Sequence, residues 1–142
     1  MLAGVILAVI ERRVSYVLEQ AERTAVITVV SNLRSVLQLE KARRIIAGQS
    51  LANLANTNPV ALLPAPLVGY CENISPEGSR NPLVCPWFYM DEEHVLYYAP
   101  QRHAHLQVET GPHGVVLGWK IVPASAEGKD VELLPIRPYQ WF

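Results

Sequence analysis

The first forty-seven residues read as one continuous helix that starts apolar and ends amphipathic, and every strand-like stretch follows it. The opening run, Met1-Leu-Ala-Gly-Val-Ile-Leu-Ala-Val-Ile10, is uncharged and uncapped before Glu11, Arg12 and Arg13. A helix crossing a bilayer needs about 20 apolar residues, so this run alone falls short. Its charges follow the apolar stretch, where a secretory signal carries them in front, and no small-residue cleavage site precedes them. Three uses remain: a buried helix start, an interfacial segment, or the end of a longer membrane helix. The third is the expectation, with the helix beginning upstream of Met1.

Two apolar stripes succeed each other along the helix. Val26, Val29, Val30, Leu33, Val36 and Leu37 follow i, i+3, i+4, i+7 spacing and share a face opposite Thr24, Thr28, Ser31, Ser35 and Gln38. Before them, Val14, Val17, Leu18, Ala21 and Ala25 form an earlier stripe whose centre is rotated by roughly 100°, and Leu2, Ile6 and Ile10 extend the helix face expected to assemble. One partner surface would ask for one stripe. The reading therefore divides the chain into a protruding half-helix, residues 1–25, and a head, residues 26–142, in which the second stripe lies on a sheet. Glu19 with Arg23 and Glu40 with Arg44 are i, i+4 pairs that favour helix continuity, and Gly48 is placed to end the helix.

Beyond the helix, Ser50 can cap a short turn through Leu54, and Asn58-Pro59 breaks it. Residues 56–84 are punctuated by Pro64, Pro66, Gly69, Pro76, Gly78 and Pro82 and read as a long loop, a kind that is uncommon unless functional or stapled. Cys71 and Cys85 can supply that staple in an oxidising compartment, closing a loop of about 15 residues for roughly 3 kcal/mol. Elsewhere they would be two buried thiols. Trp87-Phe-Tyr-Met90, a turn at Asp91-Glu-Glu93 and Val95-Leu-Tyr-Tyr98 predict an antiparallel hairpin. Val115–Val122 predicts a third strand and Val131–Leu134 a short edge strand before Pro135. The layout is α+β: a long N-terminal helix packed on a three- to four-stranded antiparallel sheet.

Chemistry-bearing motifs are sparse. Net charge is 12 minus 13, or −1, which argues against a nucleic-acid partner. Cys71 and Cys85 form no CxxC, and no P-loop, GxGxxG or GxSxG stands in the sequence. His103, His105 and His113, with His94 upstream, are the one set that could meet a metal, but Pro100-Gln-Arg102 beside them reads as exposed loop and they are taken as solvated. Trp87, Trp119 and Trp141 are expected to build the core and its edge. The C-terminal Pro138-Tyr-Gln-Trp-Phe142 either docks back on the sheet or forms a contact patch. No catalytic, metal or cofactor site is expected, and the chain reads as a non-enzyme.

Several stretches together resemble the type IV pilins and type II secretion pseudopilins: apolar Leu2 to Ile10, Tyr16 with Glu19-Gln-Ala-Glu22, Leu33-Arg-Ser35, Asn58-Pro59 with Leu62-Leu63, Trp87-Phe-Tyr-Met-Asp91 and Leu96-Tyr-Tyr98. The resemblance covers nearly the whole chain. It implies a structural subunit held in a bacterial inner membrane by its apolar N-terminus, with a periplasmic, disulfide-bonded head, reaching the cell surface in an extended pilus. It further implies that other pilin or pseudopilin subunits are partners, packed through the N-terminal helix. Proteins of that class carry a leader ending in Gly, then an aromatic residue and a Glu, where a peptidase cuts and methylates. No such stretch stands in this sequence, so the reading puts that motif upstream of Met1. The alternative is a membrane-anchored periplasmic domain that recognises a peptide or small ligand through residues 99–114 or the aromatic C-terminus.

Overall fold

The structure is a computed structural model that describes residues 2–71, 85–125 and 129–142. Helix α1 runs unbroken from Leu2 to Ile46. Its end is a Schellman turn: Gly48, at φ +71°, donates to the Ile45 carbonyl at 3.1 Å while Gln49 donates to that of Arg44 at 2.8 Å. Glycine suits this position because the left-handed backbone costs it nothing. Arg43 and Arg44 in the last turn both grip Glu40, at 2.7 and 3.0 Å. Two short 3-10 turns follow, Ala52–Leu54 and Pro59–Leu62, the second capped by the Asn58 side chain, which accepts from the Val60 amide.

Five strands form the main sheet. They are β1 (Tyr70–Cys71), β2 (Trp87–Met90), β3 (Val95–Tyr98), β5 (Leu117–Pro123) and β6 (Val131–Pro135), in the spatial order β1-β2-β3-β5-β6. All neighbours are antiparallel except β1, which lies parallel to β2. Strands β4 (Leu106–Val108) and β7 (Tyr139–Trp141) pair antiparallel as a separate ribbon. The α+β class and the helix-on-sheet layout match the expectation; the sheet is larger. The three added strands have two or three residues each, too short to show a period, and β4 and β7 find one another across more than thirty residues of chain.

The inner face of the sheet carries the core. Val26, Val30, Leu33 and Leu37 of α1 are buried in one cluster with Trp87, Tyr89, Leu96, Tyr98, Leu117, Trp119 and Ile121. Alternate residues face the other way. Phe88, Met90, Val95 and Tyr97 join Ala99 and Val116 in a second cluster on the outer face, so every residue of β2 and β3 is buried. That explains why these strands read as unbroken apolar runs and not as alternating ones. Gly118 lets the outer layer close: a Cβ there would meet the Ile136 side chain at 2.8 Å. Cys71 and Cys85 are joined as a disulfide, with Cα atoms 5.6 Å apart, fastening β1 to the residue two before β2. The part of the expected 56–84 loop from 72 to 84 lies outside the described residues.

Strand β6 ends the sheet beside α1. The Ala124 amide donates to the Asp130 carbonyl, which sets the hydrogen-bonding phase and turns the carbonyls of Val131 and Leu133 away from β5. Lys41, buried at the core-facing register, donates to the Val131 carbonyl at 3.1 Å and to Asp130 Oδ1 at 2.7 Å. Arg34 Nε donates to the Leu133 carbonyl at 3.3 Å.

Candidate functional site

Helix α1 has two very different environments. From Leu2 to Leu18 every residue is exposed, and large apolar side chains stand in solvent: Leu2 is 81%, Ile6 57% and Val17 58% exposed, with Ile10, Val14 and Leu18 also open. Ala21 and Ala25 are exposed too. Thus the whole face expected to assemble, Leu2, Ile6, Ile10, Val14, Val17, Leu18, Ala21 and Ala25, lacks cover from this chain. In the later stripe Val26, Val30, Leu33 and Leu37 are buried under the sheet, whereas Val29 and Val36 are half-buried at its margin.

Contact with the head begins on the N-terminal side of that later stripe, at Tyr16, Glu19 and Glu22. Glu19 is 2% exposed. Its Oε1 accepts from the His105 amide at 2.8 Å and from Trp141 Nε1 at 3.1 Å, and its Oε2 meets His105 Nδ1 at 2.8 Å. Burial alone would raise this carboxyl, but the bonds from His105 and Trp141 outweigh it and hold the group below its ordinary value. Above the carboxylate, the rings of His105 and Phe142 stack at 4.8 Å, and Tyr16 stands edge-on to both at 5.3 Å. One turn on, Glu22 accepts from the backbone amides of Gln101 at 2.9 Å and Arg102 at 3.2 Å. Here burial wins and the carboxyl is raised. Tyr98 beside it is also pushed up, by burial first and then by the Glu22 charge.

The early stripe runs into a groove. Ala25, Val29, Asn32 and Val36 form one wall and Leu63 to Val68 the other, enclosing about 670 Å³, with Val68 almost fully exposed at the lip. No Asp, Glu, Lys or Arg is among the residues that line it. The groove is suited to apolar matter.

The histidines are dispersed. His105 belongs to Glu19; His113 Nε2 lies 2.8 Å from Glu93 Oε1 on the outer face of the sheet, where Tyr97 also donates to Glu93; His94 closes the β2–β3 turn at φ +58°. Among the described residues no three His, Cys, Asp or Glu side chains converge as metal ligands would. The C-terminal segment, left open between docking and display, docks: β7 pairs with β4, and Trp141 is buried.

Sequence reading missed Glu19 and Glu22 as head contacts, since it paired Glu19 with Arg23. The signal was available in register. Glu19 lies seven residues before Val26, within about 20° of the same helix direction, so it points at the buried face. Lys41, four after Leu37, does likewise.

The fold and site thus define an α+β protein with a long, half-covered N-terminal helix. No protein-family model matches the chain, and no curated protein or solved structure is significantly similar to it.

Proposed function

We propose that the chain is a structural subunit of the type IV pilin or secretion pseudopilin kind, which assembles with other such subunits through the early stripe of α1. The observation that carries this reading is the exposed apolar half-helix, Leu2 to Leu18, continuous with a half that the head buries. Apolar side chains on one long exposed face gain by packing against equivalent helices, through dispersion and burial. Such a subunit would bury Leu2 to Ile10 in the membrane, with Arg12, Arg13 and Tyr16 where the helix leaves the bilayer and the disulfide-bonded head in the periplasm. Among the described residues no helix is long and apolar enough to cross a membrane. Association should appear when detergent is diluted away from the full chain, as species larger than a monomer in sedimentation. Ile6→Glu or Val17→Glu should abolish it with the head still folded; unchanged association in both would refute the reading.

The groove beside Val29 and Val36 favours a second reading, a ligand-binding head on a membrane anchor. A ligand of that groove would raise the melting temperature of the head, and Val36→Glu would remove the rise.

A further inference from the structure

The ribbon of β4 and β7 packs on the core through Trp141, Tyr139, Leu106 and Val108 but stands apart from the main sheet. It is not hydrogen-bonded into the five-stranded sheet. Behind it lies a cleft of about 320 Å³ between α1 and β7, lined by Arg23, Val26, Ile27, Tyr139 and Gln140. A segment bordered by an open cleft and with few ladder bonds opens at lower free energy than the interior of a packed sheet. Among the described residues, hydrogen bonds between the ribbon and α1 converge on one carboxylate. Glu19 accepts from the amide and ring of His105, at the start of β4, and from the indole of Trp141 in β7.

We propose that the β4/β7 ribbon is a latch on α1, fastened by Glu19, which lets go as a unit in acid and bares the helix face from Tyr16 to Val26. A proton on Oε2 takes the oxygen that faces the His105 ring and removes the negative charge that strengthens all three bonds. The ribbon then keeps the Tyr16, His105 and Phe142 ring contacts and the packing of Trp141, Tyr139, Leu106 and Val108 on the core, without a charged fastening to α1. The other ionisable groups on the elements packed here are Tyr16, Glu22 and Arg23 on α1, Arg102 and His103 in the segment before β4, and Tyr139 on β7, which feels Arg23 and Arg34. Of the carboxylates, Glu22 accepts from the Gln101 and Arg102 amides outside the ribbon and, raised by burial, takes up its proton before Glu19 does. The direction of the switch follows from Glu19 lying below its ordinary value: the fastening is complete at neutral pH and fails as pH drops beneath the usual carboxylate range.

The test is amide hydrogen exchange, read as protection factors on the full chain in detergent from pH 6 down to pH 3. In the wild type, protection at Leu106–Val108 and Tyr139–Trp141 should fall together by about tenfold or more, while β5 and β6 keep theirs. Glu19→Gln keeps an acceptor but cannot take up the proton. Ribbon protection in this variant should be flat over the same range, whether its level is that of the closed wild type or, with β5 and β6 still protected, lower. Two results would overturn the latch: a ribbon that loses protection only when β5 and β6 do, or a Glu19→Gln profile that falls at the wild-type pH.

Discussion

The two halves of α1 share one backbone conformation and almost nothing else. Residues 2–18 touch little of the head beyond Tyr16, while residues 26–41 put Val26, Val30, Leu33, Leu37 and Lys41 beneath the sheet. Being helical is therefore not what distinguishes them. The later half owes its place to the core it helps to form; the earlier half keeps its apolar side chains exposed. Between them, Tyr16, Glu19 and Glu22 form a polar and aromatic collar where the head takes hold.

The difference can be broken most violently at Leu33, fully buried at the centre of the core. Leu33→Asp places a charge there and should cost about 5 kcal/mol or more, enough to unfold the head, seen as loss of near-ultraviolet circular dichroism. Lys41→Ala should be milder. It leaves the Val131 carbonyl without its donor and should lower head stability by about 1–2 kcal/mol in urea unfolding. Acid sharpens the contrast without mutation. Glu19 and Glu93 both lie below their ordinary values, burial working against the shift and hydrogen bonds from His105 and Trp141, or from Tyr97 and His113, prevailing. Each contributes stability that is present above about pH 4.5 and lost as pH falls through the folded value; Glu22, raised by burial, works in the opposite sense. The melting temperature of the head should accordingly decline below pH 4.5, and Glu93→Gln should flatten part of that decline. The smallest effect on folding should come from the exposed half: Ile6→Asp and Val17→Asp should leave the melting temperature of the head within about 1 °C, since surface changes rarely exceed a few tenths of a kcal/mol. A large drop in either would dissolve the distinction between the halves.

Much of this was readable in the chain. The i, i+3, i+4 run from Val26 to Leu37 identified the buried face, Gly48 marked the helix end, and the two aromatic tetrapeptides around Asp91 marked the β2–β3 hairpin. These are local signals, each contained in a few turns or one hairpin. What escaped was nonlocal. Strand β1 runs parallel to β2 across the segment that the disulfide closes, and β4 becomes a strand only because Tyr139–Trp141 returns to meet it. The collar escaped for a related reason. A glutamate on an exposed helix looks like a partner for the arginine four residues on, until a distant histidine and tryptophan supply better donors.

Lys41 and Arg34 act on more than their own bonds. Subunits gathered side by side by their helices would face one another at effective concentrations on the order of millimolar, where bare strand edges fuse into continuous intermolecular ladders. With the outward carbonyls of Val131 and Leu133 already taken by cations from α1, β6 offers a neighbouring strand little to pair with. In an assembly of the proposed kind, the helix that gathers the subunits would thus also carry the groups that keep their heads from fusing.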